Sequence, residues 1–464
     1  MADTRAAGAA NVPAVIERLE DSGRKLRARP LGEIIAALGR VGARFLDDQD
    51  PLRQRALSGI PEEARVSRPM AEAILGGMAV DWTEERLRAL VTAEFEDPGA
   101  LDGIVTVPVP RGLLTSFGPS DGDRPDGGTA PSAVRRVRAF GPRLCVQIVS
   151  GSVPGVAVHA LIRSLLVKSP TLLKPGRGDT LLAQLFAEAL AQEDAELSDA
   201  LEVVYWPGGS QEAEGLVLQA ADVAVIYGSD ETVKALRTRV PATTRVVAYH
   251  HRVGVGAVGR AALDGSGAEL MEVALDLARA VALFEQQGCV CPQVVFVEEG
   301  GETSPSDFAR AVAGALGELE GELPSPRRTT GEAGGLAQLR GTAEIHQASG
   351  RAEVHHGGGD APWTVVFETD SVRLPDGGPR TLRVRPVSDL AELPHILTSL
   401  GPHLQSVGHA GLGDRVEQLA DALGQAGASR VVPFRALSFP PPWWLHDGRG
   451  PLTELVRWME VEEE

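Results

Sequence analysis

The sequence predicts an α/β protein with a parallel-sheet domain, a second α/β domain and a helical N-terminal extension. Three observations carry this. From residue 144, five short apolar runs (144–149, 172–173, 203–206, 223–227 and 246–249) alternate with helical stretches near 155–168, 180–195, 211–220 and 230–239. Strand and helix in alternation argue for a parallel sheet covered on both faces. A further helix-to-strand unit surrounds Cys289, and residues 14–98 carry helical stripes instead of strands.

In chain order, residues 1–100 form the helical extension. Leu31, Ile34, Ile35, Leu38, Val41 and Phe45 make one stripe, and Trp82, Leu87, Leu90 and Val91 begin another. The nucleotide-binding domain is expected over 101–252, interrupted by a flexible loop at 117–133 that is almost entirely breakers and small polar residues. The catalytic domain is expected over 253–430, with a Gly-rich stretch at 331–359 and strands at 363–367 and 382–384. The C-terminal segment 431–464 is a candidate oligomer contact, and its spacing predicts an amphipathic helix near 452–459. The stretch Val253-Gly254-Val255-Gly256-Ala257-Val258-Gly259 looks like a dinucleotide fingerprint, but its flanks are wrong for one.

Composition narrows the function. The net charge of −18 disfavours nucleic acid and anionic membranes as partners, though not a small anionic ligand in a local basic pocket. Three cysteines, at 145, 289 and 291, argue against a disulfide framework and fit a reducing cytoplasm. Cys-x-Cys without a second pair or a nearby histidine cluster predicts no metal site. The first 13 residues hold no apolar stretch of signal-peptide length, and no membrane span is expected.

Ligands of parallel sheets bind beyond the carboxyl ends of the strands. Those ends here are Ser150-Gly151-Ser152-Val153-Pro154, Lys174-Pro175-Gly176-Arg177, Pro207-Gly208-Gly209-Ser210 and Gly228-Ser229-Asp230-Glu231, all small, polar or basic. Cys289 has a different setting. A helix over 269–284 precedes it and an apolar run over 294–297 follows, with Gly288 beside the thiol. A cysteine at such a junction is either a displayed nucleophile or, more commonly, a small buried hydrophobe.

Four segments in this order resemble the aldehyde dehydrogenase superfamily, and within it the acyl-CoA reductase branch, the long-chain fatty acyl-CoA reductases of bacterial bioluminescence. They are Ser150-Gly151-Ser152-Val153-Pro154-Gly155, Leu166-Val167-Lys168-Ser169-Pro170 with Lys174-Pro175, Gln286-Gln287-Gly288-Cys289 with Pro292-Gln293, and His446-Asp447-Gly448. The resemblance runs from about residue 25 to the C-terminus. It implies an aldehyde dehydrogenase-like fold with Cys289 as the nucleophile that takes the acyl group from a thioester. Hydride from a nicotinamide would then release an aldehyde. It makes Cys291 a packing residue, gives Lys174 to the adenosine ribose and sets the Gly228-Ser229 turn beside the nicotinamide. Gly208 falls in a further cofactor-side turn. Arg177 stands where NAD-using relatives carry an acidic residue; a guanidinium suits a 2′-phosphate, which tilts the cofactor to NADPH (NADP).

Two departures from the superfamily pattern matter. Ser152 replaces an Asn whose amide helps hold the oxyanion. The glutamate that activates water in oxidising relatives is missing from Ala248-Tyr249-His250-His251-Arg252, which favours reduction over hydrolysis. His250 and His251 are the candidates to supply a proton. The expected activity is therefore NADPH-dependent reduction of an acyl-CoA or acyl-carrier thioester, in a homo-oligomer and with an acyl-transferring partner protein. The alternatives are an acylating aldehyde dehydrogenase, an acyl-phosphate reductase, and a non-catalytic subunit of the same fold.

Overall fold

A computed structural model describes residues 12–108, 134–357, 362–369 and 378–462. The loop expected at 117–133 lies outside them. Five helices open the chain: α1 (Val12–Ala28), α2 (Leu31–Leu46), α3 (Pro51–Glu63), α4 (Arg68–Ala79) and α5 (Glu84–Glu94). The α2 stripe is buried as expected, with Ile34, Leu38, Val41 and Phe45 fully enclosed. Asp50 caps α3, its carboxylate accepting from Leu52 N at 2.7 Å, with Pro51 just inside the helix. Trp82 sits edge-on to Phe45 (5.5 Å) and to Phe186 of the next unit (5.8 Å). The extension therefore shares one continuous core with that unit.

The first α/β unit follows as β1 (Val105–Pro108), β2 (Val134–Phe140), β3 (Cys145–Ile148), α6 (Val156–Leu166), β4 (Thr171–Lys174), α7 (Thr180–Glu193), α8 (Ala195–Ser198), β5 (Leu201–Val203), α9 (Gln211–Ala220), β6 (Val223–Tyr227), α10 (Asp230–Arg237) and β7 (Arg245–Tyr249). Five strands form a parallel sheet in the order β5-β4-β3-β6-β7. Four of them match their expected spans to within one residue; β5 departs, starting two residues and ending three residues earlier than expected. Side chains alternate between two apolar layers. Val225, Tyr227, Val247 and Tyr249 face α2, α6 and α7, while Ala224, Ile226 and Ala248 face α1 and α9.

The second unit comprises β8 (Val253–Val258), α11 (Arg260–Leu263), α12 (Gly267–Ala282), β9 (Pro292–Glu298), α13 (Pro305–Glu322), α14 (Thr330–Ala348), β10 (Ala352–His355), β11 (Thr364–Glu368), β12 (Thr381–Val387), α15 (Leu393–Leu397), β13 (Leu404–Ala410), α16 (Val416–Gln425) and β14 (Arg430–Pro433). Its seven strands run β10-β11-β12-β9-β8-β13-β14, parallel except for β10. Most of the Gly-rich stretch is helix α14, started by a reciprocal cap between Thr329 and Glu332. Of the fingerprint-like glycines, Gly254 and Gly256 lie inside β8 and Gly259 precedes α11. A Cβ on Gly254 would come within 2.7 Å of the carbonyls of Val290 and Cys291, so the strand needs glycine to accept the Cys289 loop.

The helix expected at 452–459 is a turn followed by β15 (Arg457–Val461). Arg457-Trp458-Met459-Glu460-Val461 does not alternate strictly between polar and apolar, and the partner makes the strand: β15 pairs antiparallel with β2, and Arg135 forks onto Glu460 at 2.8 and 2.9 Å. Among the described residues, no helix is long and apolar enough to cross a membrane.

Candidate active site

The loop between α12 and β9 has an unusual backbone. Phe284, Glu285 and Gln286 all have left-handed φ, at 57°, 50° and 61°. Non-glycine residues pay roughly 1–2 kcal/mol each for that region, so the surroundings must impose it. They do so with buried polar contacts. The Glu285 carboxylate takes two hydrogen bonds from Arg380 (3.0 and 2.6 Å) and one from Ser325 (3.0 Å). Gln286 donates to the carbonyls of Pro292 and Thr381, each at 2.8 Å, and accepts from Thr381 N at 2.7 Å. Burial pushes the Glu285 carboxyl above its usual range, and Arg380 pulls it back. Cys291 is enclosed, with its thiol 3.5 Å from the Leu283 carbonyl, and packs into the core.

The loop delivers Cys289, half-buried, to a mostly apolar cavity of about 690 Å³. Met78 and Asp81 reach it from the N-terminal helices and Val153, His159, Arg163 and Tyr227 from the first unit. Phe439, Trp444 and His446 come from the C-terminal segment. Burial, and then the charge of Asp447, push the Cys289 thiol up to about 12. The thiol therefore carries its proton at neutral pH and needs a base at the moment of attack. Burial lowers His159 to about 3 and His446 well below the ordinary imidazole value, so both rings are neutral. Asp81 is raised to about 6 by burial, against the pull of Arg86 and Arg163.

His446 is the most firmly placed of these groups. It is sandwiched between Tyr249 (4.3 Å, 20°) and Trp444 (4.5 Å, 22°), and Tyr227 stacks on Tyr249 at 4.5 Å and lies 5.9 Å from the His446 ring. Asp447, in a left-handed turn beside it, lies 3.1 Å from Arg252 and 3.6 Å from Arg449. Arg449 also donates to the Ala248 carbonyl at 2.7 Å and covers the Tyr249 ring. These contacts fasten the C-terminal turn to the end of β7.

Several sequence expectations shift here. His250 and His251 are not cavity residues; His250 lies beside Asp230 and His403 in a separate pocket. The imidazoles that line the cavity are His159 and His446. Ala248 faces the α1/α9 layer, and Tyr249 is the residue on the cavity side. Ser152 is exposed, and its neighbour Val153 lines the cavity instead. The clustered rings and turn of Trp443-Trp444-Leu445-His446-Asp447-Gly448 were the available signal for His446, but nothing in their order says what they stack on.

The carboxyl edge of the first sheet holds the remaining candidates. Lys174 ends β4, partly buried, with its ammonium 5.9 Å from the Tyr205 ring centre. Gly208 lies in the β5–α9 turn with open space around it. Gly228 donates to the Tyr249 carbonyl at 3.1 Å, and Ser229 caps α10 by accepting from Thr232 N at 3.3 Å. The turns after β3 and β4 lie back to back: a Cβ on Gly151 would stand 2.4 Å from Gly178 N. Arg177 is exposed there, in a groove of about 670 Å³ shared with Arg65, Arg327, Arg328 and Gln287.

Fold and site together define an aldehyde dehydrogenase-fold protein with a cavity-borne thiol. The chain belongs to the acyl-CoA reductase (LuxC) family, whose sequence profile matches residues 130–458. It is 22% identical over 339 residues to a long-chain acyl-protein thioester reductase of Photorhabdus luminescens, covering 70% of this chain and 65% of that one. The matched region thus spans less than two thirds of that relative. Among solved structures, an NAD-dependent benzaldehyde dehydrogenase from Corynebacterium glutamicum superposes with a TM-score of 0.71 at 15% identity, covering 98% of this chain and 91% of the other. An NADP-dependent glyceraldehyde-3-phosphate dehydrogenase from Bacillus halodurans C-125, complexed with NADP, gives 0.68 at 16% identity, with coverages of 98% and 91%.

Proposed function

We propose that this protein reduces an acyl thioester to an aldehyde through an acyl group carried on Cys289, with NADPH as reductant. The observation that carries the reading is the thiol itself. A strained, clamped loop presents it to a mostly apolar cavity that a neutral imidazole also lines.

The Cys289 thiol gives its proton to a base as its sulfur attacks the thioester carbonyl. His446 suits that role, since its ring is neutral and fixed by stacking. The backbone around Cys289 is the candidate to hold the oxyanion, because Ser152 does not line the cavity. The donor thiol leaves with the proton, and the acyl group stays on Cys289. Lys174, Gly208, Gly228 and Ser229 form the edge that would hold the cofactor, and small turns with a strand-end lysine fit a dinucleotide. Arg177, among three other arginines, fits its 2′-phosphate. Bound there, the nicotinamide supplies the hydride. The oxygen of the resulting thiohemiacetal takes a proton from solvent, and its collapse hands that proton and the C–S electron pair to Cys289 and frees the aldehyde. With Tyr249 at the cavity-facing end of β7, that strand offers no carboxylate to activate water against the intermediate.

The test is acyl transfer without reductant. Incubated with labelled acyl-CoA, the wild-type protein and Cys291→Ala should retain label, while Cys289→Ala should retain none and make no aldehyde. Label persisting on Cys289→Ala would overturn the assignment.

A further inference from the structure

Three side chains outside the catalytic cavity converge where the two α/β units meet. Asp230 opens α10, His250 follows β7, and His403 ends the turn that leads into β13. One carboxylate oxygen and one nitrogen from each ring all lie within 4.8 Å of one another. His250 Nδ1 and His403 Nε2 are each 3.7 Å from an Asp230 oxygen, too far for a direct hydrogen bond. A tetrahedral ion with bonds of about 2.1 Å holds its ligand atoms roughly 3.4 Å apart, close to this spacing. His403 Nδ1 lies 2.9 Å from the His251 carbonyl and donates to it. That bond fixes the tautomer and turns the Nε2 lone pair toward Asp230, as a carbonyl behind a metal-ligating histidine does.

We propose that Asp230, His250 and His403 bind a divalent transition-metal ion of the zinc class. Two imidazoles and one carboxylate favour such an ion over calcium or magnesium, which prefer all-oxygen shells. An ion held through His250 Nδ1 replaces that atom's 3.0 Å contact with the His251 carbonyl. The fourth position faces a pocket of about 880 Å³ that Lys234 and Arg237 also line. Those cations weaken the site for a bare ion and favour one that carries an anion or hydroxide on that side. Bound metal ties the first unit to the second and fixes Ser229, Asp230's neighbour in the proposed cofactor turn. The site is independent of the proposed chemistry at Cys289. It also departs from the expectation of no metal, because its ligands come from three distant segments and no short spacing announces them.

The test is titration of the full-length protein with zinc chloride by calorimetry, in a Cys289→Ala background that removes the half-buried thiol as a competing ligand. One ion per chain should bind, and added His403→Ala or Asp230→Asn should each weaken binding by about 100-fold or more, beyond what loss of an outer-shell contact costs. These side chains are partly exposed, so circular dichroism in chelator should match the parent; His250→Ala serves if either variant misfolds. Absence of binding in the parent, or equal affinity in the ligand variants, overturns the proposal.

Discussion

The two parallel sheets handle buried charge in different ways. In the first unit, buried Glu214 pairs with Arg239 at 2.6 Å, but Asp179 is fully enclosed and has no arginine partner among the described residues; it accepts from the backbone N–H groups of Gly155 and Ala157 at 2.8 and 2.7 Å, at the start of α6. Burial raises its carboxyl well above the ordinary range. In the second unit, each buried carboxylate is forked by arginine. Glu285 pairs with Arg380, Glu298 with Arg415 (2.9 and 2.7 Å), and Glu368 with Arg383 and Arg385. Helix-end amides hold a turn in place while leaving its outer face small and open, which suits a ligand edge. Arginine forks fix separate elements against one another, which suits a loop whose backbone resists its own conformation. The Cys289 loop is thus made rigid by the unit behind it, and the candidate ligand edge is kept open by the other.

The largest effect should come from breaking an arginine fork. Arg380→Ala leaves Glu285 buried without its partner beside three left-handed residues, and should cost about 3–5 kcal/mol by urea unfolding. Asp179→Asn keeps the shape and one of the two acceptor oxygens, setting its NH2 against the other backbone N–H, and should cost less, about 1–3 kcal/mol for one unmade hydrogen bond. Equal losses would erase the contrast between the units.

Next is the imidazole between them. His446→Ala should slow acyl transfer to Cys289 by about 10²- to 10⁴-fold, the range of general-base contributions, in single-turnover labelling. An unchanged rate would move the base to Asp81 or His159. At the open edge, Arg177→Glu removes a charge-assisted contact worth about 1.5–3 kcal/mol. It should raise KM for NADPH roughly ten- to hundredfold while leaving that for NADH nearly unchanged; a wild-type preference for NADH would contradict it.

The smallest effect concerns Asp81. Its folded value of about 6 lies above the ordinary 3.8. Between those values the folded chain holds a proton that the unfolded chain has lost, so this group lowers stability as pH rises from about 4 to about 6. Asp81→Asn should remove that loss. Thermal melts should show the variant gaining on the wild type across this interval and holding the gain at pH 7. A constant difference would mean that burial does not control this carboxyl.

Much of the architecture was legible because it rests on local periodicity. The α2 stripe, the alternation of strands and helices from 144 to 249, and the helix and strand flanking Cys289 follow from which side chains must leave water, and neighbours in sequence report that directly. The acyl-CoA reductase resemblance was legible for a related reason, since its turn motifs are contiguous. The segment at 452–459 was not, because its apolar spacing reads as helical and only pairing with β2 makes its end a strand.

The site divides along the same line. Cys289 and the four strand-end turns could be named from the sequence, because a glycine-flanked thiol and small polar turns are local patterns. Only the tertiary structure decided that Glu285 meets Arg380 across 95 residues, that His446 stacks on Tyr249, and that Ala248 turns away from the cavity its neighbour faces. Ion pairs, ring stacks and strand faces are properties of two segments at once. A linear sequence specifies each segment's chemistry, and folding supplies the partner that gives it a role.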